Sequence, residues 1–416
     1  MKIALKMTGC RNNRYEIEQV LRWAIDNKVE VVAEEEADYC IINTCTVTHV
    51  ADKKSRQMVR KTKNANPNLK TIVFGCAARI QKEAFEGIEE VDILLKDLPS
   101  VIQFLEVQKN VIKRQGAVKR AKEAFVEHPR SRAMVQIQDG CDNYCSYCII
   151  AAARGKSRSH PIDQIIHEIR NHEKEGHNEV VLTGINIGGY GASTTLRPQE
   201  SYFARLLKEL LQKTRIARIR ISSLGPEYFS EELFDVLRHI RICRHIHLSV
   251  QSGSSTVLKR MRRQYDAAHV ENVIKRLKTD IPDIAITTDF IVGFPQETEE
   301  EFQETLEFIK RNPLAKAHIF PYSVRDNTLA ATLEQVDDDT KKMRAKILKE
   351  LTDAQREAFI QNQIGKEIPV LWETASPENN IITGITDNYI RVFKKADYPL
   401  KSISMEKLEE GNIVWD

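Results

Sequence analysis

Long apolar runs are missing from this sequence. No segment approaches the roughly 18 uninterrupted apolar residues that a membrane helix needs, so no membrane partner is expected. The start, MKIALKMTGC, has its apolar run broken by Lys6, too early for the hydrophobic region of a signal peptide. A cytoplasmic chain is the expectation. A strong charge bias is missing too: 62 Lys and Arg against 59 Asp and Glu leave a net charge of +3. Only 13 prolines occur in 416 residues, with 42% hydrophobic and 29% charged residues and no low-complexity tract or repeat, which excludes disordered and fibrous classes. Cysteine is scarce, with eight in all. In a reducing compartment, clustered cysteines bind metal or do chemistry more often than they form disulfides.

The length exceeds what one hydrophobic core usually supports, so several domains are expected. In the first hundred residues, strand-like KIALKM, VEVVA, YCIINT, TIVFG and VDILL alternate with helical patterns, the signature of an open parallel sheet with crossover helices. Residues 1–107 read as this domain and 108–132 as a basic linker. From 133 to 363 a second series, AMVQIQ, EVVLTG, RIRISS, HIHLSV, AITTDFIVG and KAHIFPYS, predicts a (β/α)6 part-barrel followed by a long polar helix. Residues 364–416, with EIPVLWE, IITGITD, YIRVFKK and GNIVWD, read as a small all-β module with a binding role. Basic blocks from Lys53, Lys109 and Leu258 can attract phosphate backbones or simply be solvated helix faces.

The stretch CDNYCSYC places Cys141, Cys145 and Cys148 in the loop after the first barrel strand, where barrel active sites lie. A structural zinc would want a fourth ligand nearby, and His160 and His167 lack the usual paired spacing. Three thiolates without a fourth suit a [4Fe-4S] cluster that keeps one iron open. Cys10, Cys45 and Cys76 each follow a strand of the first series. In a parallel sheet those strand ends share one edge, so the three converge if their strands are neighbours. Cys40 and Cys243 read as buried structural residues.

At these residues the sequence resembles a family. C-x3-C-x2-C after the first strand of a βα barrel resembles the radical S-adenosylmethionine (SAM) enzymes. IQDGCDNYCSYCIIAAARGKSRS, VVLTGINIGGYG, RIRISSLGPEYF, HLSVQSGSSTVLKRMRRQY, TTDFIVGFPQETEEEF and HIFPYSVRDNTLA resemble, in order, segments of the methylthiotransferases. The resemblance implies an N-terminal domain with an auxiliary cluster, a radical-SAM barrel and a C-terminal TRAM module that binds RNA. It implies two [4Fe-4S] clusters, one on Cys141, Cys145 and Cys148 and one on Cys10, Cys45 and Cys76, with SAM as the other cofactor. One SAM gives a methyl group to sulfur at the auxiliary cluster; a second yields the 5′-deoxyadenosyl radical that activates a C–H bond. SAM contacts are expected from Gly184, Asn186, Ser223, Gln251, Asp289 and Gly293, all at barrel strand ends. Arg154, just past the cysteine loop, would meet a carboxylate or phosphate, or form a surface ion pair.

Within the family, Asn13, Tyr15 and Glu16 and the stretch GITDNYIRVF look like the branch acting on N6-threonylcarbamoyladenosine beside the anticodon. The expected partners are a tRNA anticodon stem-loop, an electron donor such as flavodoxin or ferredoxin, and a sulfur source. Rival readings are an isopentenyladenosine or ribosomal-protein substrate and, in another class, an iron-sulfur RNA-binding protein without catalysis. Gln296, Gly225 and the stretch AAARG depart from the family's usual residues.

Overall fold

The computed structural model describes residues 1–114, 131–191, 201–376, 381–395 and 399–415, which fall into two compact units. The first contains strands β1 (Lys2–Met7), β2 (Glu30–Val31), β3 (Tyr39–Thr44), β4 (Lys70–Gly75) and β5 (Ile93–Leu94), all parallel, in the order β2-β1-β3-β4-β5. Helices α1 (Arg11–Asp26) and α5 (Leu98–Arg114) cover one face. Helices α2 (His49–Ala65), α3 (Cys76–Ile80) and α4 (Lys82–Glu86) cover the other. Because side chains alternate along a strand, Ile41, Ile72 and Phe74 join the first core while Cys40, Ile42 and Val73 join the second. Each such fully buried Ile, Val or Phe contributes about 1.5–3 kcal/mol. Cys40 is therefore a core residue, as expected. A returning segment, Cys148–Gly155, completes the unit, and its helix α6 (Ile150–Arg154) packs on α3.

Helix α5 runs through residue 107, where the first domain boundary was expected. Its amphipathic pattern continues past the last strand, and the helix remains part of the first sheet's cover through Val101 and Leu105. Most of the expected linker lies outside the described residues.

The second unit holds β6 (Arg132–Gln136), the short antiparallel pair β7 (Gln138–Asp139) and β8 (Arg158–Ser159), then β9 (Glu179–Thr183), β10 (Arg218–Ile221), β11 (Ser223–Leu224), β12 (His245–Gln251), β13 (Ala285–Val292) and β14 (Lys316–Pro321). β6, β9 and β10 form one parallel sheet and β11 to β14 another. Only Ser222 separates β10 from β11, so the third barrel strand changes partner halfway and six strand positions follow in chain order. This is the expected (β/α)6 part-barrel. Its helices are α7 (Ile162–Lys174), α8 (Tyr202–Lys213), α9 (Glu231–Leu237), α10 (Ser255–Arg260), α11 (Ala267–Asp280) and α12 (Glu299–Arg311). They start where cap chemistry dictates: Ser201, Ser230, Asp266 and Thr298 each accept a backbone N–H of the first turn, and Thr298 with Glu301 forms a capping box, worth about 1 kcal/mol per cap.

After helix α13 (Asp338–Gln361), an antiparallel sheet runs in the order β17-β16-β15-β18, with β15 (Glu367–Ser376), β16 (Ile381–Thr386), β17 (Arg391–Lys395) and β18 (Ile403–Lys407). GNIVWD is not the fourth strand: it contributes a single bridge, Ile413 to Val392, and the edge position belongs to Ile403–Lys407. That segment's one-sided pattern, with Met405 exposed, is characteristic of an edge strand with little core to mark it.

Candidate functional site

The three separated cysteines sit at one sheet edge because β1, β3 and β4 are immediate neighbours. Cys10 is the N-cap of α1, Cys45 follows β3, and Cys76 opens α3 directly after β4. Gly9, at φ +109°, makes the approach possible: a Cβ there would lie 2.5 Å from Cys45 Cβ and 2.8 Å from its Sγ. From α2, Ser55 Oγ accepts from Cys45 N at 3.2 Å and donates to Cys45 O at 3.3 Å.

A polar network surrounds these sulfurs. Asn13 Nδ2 donates to Thr8 O and Thr44 O, and its Oδ1 accepts from Cys10 Sγ at 3.6 Å and from Arg154 Nη2 at 3.0 Å. Asn43 Nδ2 donates to Glu16 Oε2 at 2.7 Å. Arg154, delivered by α6, pairs with Glu16 at 2.6 Å and donates from Nε to Cys76 Sγ at 3.1 Å. Burial pushes the Cys76 thiol up to about 12 and raises Cys45, while the Arg154 guanidinium pulls both the other way. A buried cationic centre is what these sulfurs need to become thiolates.

In the second unit, β7 leads through Gly140 into the loop of Cys141 and Cys145. Asn143 N donates to Cys141 Sγ at 3.5 Å and Arg263 Nη1 to Cys145 Sγ at 3.2 Å; burial raises the Cys141 thiol. The loop is anchored by Ser146, whose N and Oγ donate to Met261 O and Arg260 O. Cys148 opens the segment that belongs to the first unit.

Ser223, Gln251, Asp289, Gly184 and Asn186 all lie toward the carboxyl ends of barrel strands. Gln138, which sequence reasoning passed over, organises two of them. Its Oε1 accepts from Ile185 N at 3.1 Å and Asn186 N at 2.8 Å, and its Nε2 donates to Gly140 O at 2.6 Å. Gly184 lies so close that a Cβ would stand 2.7 Å from Gln138 O. Tyr228, also passed over, accepts from Asn186 Nδ2 at 2.7 Å. Gln251 has φ +76° at a register shift between β12 and β13, a strained conformation of the kind found at functional edges. Asp289 Oδ2 lies 3.1 Å from His247 Nε2, whose Nδ1 meets Thr287 Oγ1 at 2.9 Å. Gly293 N is committed to Glu297 Oε2 at 2.7 Å. Arg154 does meet a carboxylate, but it is that of Glu16; the guanidinium is buried and the carboxylate 13% exposed.

Against known proteins, residues 135–309 match the Radical SAM superfamily and residues 2–96 the uncharacterized protein family UPF0004. Over 432 residues the chain is 37% identical to the threonylcarbamoyladenosine tRNA methylthiotransferase MtaB of Bacillus subtilis, covering 98% of this chain and 94% of that one. The chain belongs to the radical-SAM methylthiotransferase family. The MtaB protein of Aquifex aeolicus is 35% identical, with 94% and 96% covered. A tRNA-2-methylthio-N(6)-dimethylallyladenosine synthase of Natranaerobius thermophilus is 35% identical, with 86% and 82% covered. Among solved structures, the radical SAM methyltransferase TsrM of Kitasatospora setae shares the fold at a TM-score of 0.56, with 12% identity and coverage of 79% and 77%. As a radical-SAM methylthiotransferase, the chain works with SAM and two [4Fe-4S] clusters.

Proposed function

We propose that this chain converts N6-threonylcarbamoyladenosine, beside the anticodon of tRNA, to its 2-methylthio derivative. The observation that carries the sulfur-inserting part is the meeting of Cys10, Cys45 and Cys76 at the ends of three adjacent strands, apart in sequence from the Cys141–Cys148 motif. Cys10, Cys45 and Cys76 hold one cluster; Cys141, Cys145 and Cys148 hold the other. When bound, the clusters and SAM supply a 5′-deoxyadenosyl radical and a deliverable sulfur. The protein's own residues position and protect. Gly9 lets two of the sulfurs approach, Arg154 neutralises and orients Cys76, and Gln138 fixes the Gly184–Asn186 turn beside the Cys141 loop. Gly184, Asn186, Ser223, Gln251 and Asp289 line the SAM side of the barrel mouth; Gly293 acts through its turn with Glu297.

The choice of substrate is supported by the full-length similarity to proteins named for threonylcarbamoyladenosine and by Asn13 and Glu16, which stand in the polar network around Cys76. The C-terminal sheet serves as the TRAM-type RNA-binding module, a flavodoxin or ferredoxin supplies electrons, and a separate donor replenishes sulfur. The work is cytoplasmic, where the tRNA is; among the described residues no helix is long and apolar enough to cross a membrane.

Mass spectrometry of tRNA nucleosides from a deletion strain tests the assignment. Loss of the 2-methylthio product with accumulation of N6-threonylcarbamoyladenosine, restored by the intact gene, is expected. Accumulation of isopentenyladenosine instead would move the chain to the other tRNA branch, and unchanged tRNA would move it to a protein substrate.

A further inference from the structure

We propose that His172, Glu175 and His177 form a binding site for a borderline divalent transition ion of the zinc class. The three lie where α7 ends and the chain turns into β9, at the opposite edge of the barrel from the Cys141 loop. The local backbone fixes them: Glu175 N donates to Asn171 O, Gly176 N to Glu173 O and His177 N to His172 O, each at 3.0 Å. His172 Nδ1 lies 3.3 Å and His177 Nδ1 3.8 Å from the same Glu175 oxygen, Oε2, and all three donor atoms fall within 4.8 Å of one another.

That spacing is close to a coordination shell. Around zinc with bonds of about 2.0–2.1 Å, tetrahedral donors stand about 3.3 Å apart. Two imidazoles and a carboxylate are the donor set that zinc-class ions prefer over magnesium or calcium. Both imidazoles are at least nine-tenths buried, at 5% and 7% exposure, so their rotamers are already ordered, while the Glu175 side chain is 45% exposed and leaves an open side for the ion and a water. The last turn of a helix also favours a cation through its unpaired carbonyls.

Two features oppose binding. His177 Nδ1 lies 3.3 Å from His172 O, a contact the ion would replace, and Lys401, within electrostatic reach of Glu175, is a competing cation. Lys401 also says what occupancy would do: its Nζ donates to Glu175 O at 3.0 Å and its O accepts from Asn178 Nδ2 at 2.8 Å. The turn is thus a seat of the C-terminal module, and an ion there stiffens that seat.

The test uses the full-length, cluster-loaded protein, exposed to Zn2+, desalted, and examined by metal analysis and zinc K-edge absorption. About one retained zinc per chain is expected, with a nitrogen and oxygen shell, imidazole outer-shell scattering and no sulfur near 2.3 Å. His177→Gln should weaken retention at least about tenfold at unchanged iron content and circular dichroism. Glu175→Gln, at a side chain 45% exposed, should do the same at unchanged circular dichroism. No retained zinc, a sulfur shell that puts the metal on the cysteines, or equal retention in the Glu175 variant would overturn the site.

Discussion

Arg154 Nε and Cys76 Sγ meet at 3.1 Å although they stand 78 positions apart in the chain. The helix that follows one cysteine motif thereby grips the first residue of the helix that carries another. A cationic donor on a sulfur ligand stabilises the thiolate and raises the potential of what it binds. Arg154→Gln alone would strand Glu16, whose side chain is only 13% exposed, and cost about 3–5 kcal/mol. The double change Arg154→Gln with Glu16→Gln removes both charges and should fold. Its auxiliary cluster should then shift its midpoint potential downward by on the order of tens of millivolts, read by redox titration under EPR, with the radical-SAM cluster unmoved. An unshifted potential would reduce Arg154 to a structural ion pair.

Gly9 carries a second prediction. Its φ of +109° and the 2.5 Å that would separate an added Cβ from Cys45 Cβ leave no room for alanine without moving the cysteine. Gly9→Ala should destabilise the first unit by about 1–3 kcal/mol in urea titration. After reconstitution, iron should fall from about eight atoms per chain toward about four.

How far the sequence foretold this site depends on what kind of information each residue needed. That Cys10, Cys45 and Cys76 follow strands was legible from β-rich runs alternating with helical ones. Their convergence was not, because nothing in the spacing sets the strand order; it follows from β2 pairing outside β1, which leaves β1, β3 and β4 adjacent. Arg154 was legible as a carboxylate partner, but Glu16 lies 138 positions away and only the fold joins them. Gln138 was missed because a lone polar residue three positions before Cys141 looks like loop; a polar side chain closing a strand that points into a barrel was the available signal. The GNIVWD assignment failed for a different reason: its apolar residues supply Ile413 to the module's core without pairing along a ladder.

Gln138 accepts from the amides of Ile185 and Asn186 and donates to Gly140 O, so one side chain sets the spacing between the Gly184 turn and the cysteine loop. Gln138→Ala leaves two partly buried N–H groups without their acceptor, at about 0.5–1.5 kcal/mol each. The expected outcome is weaker SAM binding, by roughly tenfold or more, with iron content retained, measured by equilibrium binding of SAM and by release of 5′-deoxyadenosine under reductant. Retained SAM affinity would show that the turn is held by the barrel alone.

The barrel's opposite end yields the pH prediction. Glu179 is fully buried between Arg220 at 2.6 Å and Arg218 at 2.9 Å. Arg220 in turn donates to Thr386 O and Asp387 O of the C-terminal module, each at 3.0 Å. Burial alone would raise the carboxyl, but the two arginines outweigh it and hold Glu179 at about 2, against 4.5 for the free group. A carboxylate depressed on folding stabilises above its unfolded value and loses that contribution as pH falls through its folded one. Here the contribution, about 3 kcal/mol, is complete above pH 4.5 and lost on the way to pH 2. Glu179→Gln should flatten the stability curve across that window. At neutral pH it should cost about 3–5 kcal/mol by stranding two buried arginines, with protease cleavage appearing first around the C-terminal sheet. Chemical denaturation from pH 2 to pH 7 measures both effects. An unchanged acid limb in the variant would mean that the arginines are satisfied by the module's carbonyls rather than by Glu179.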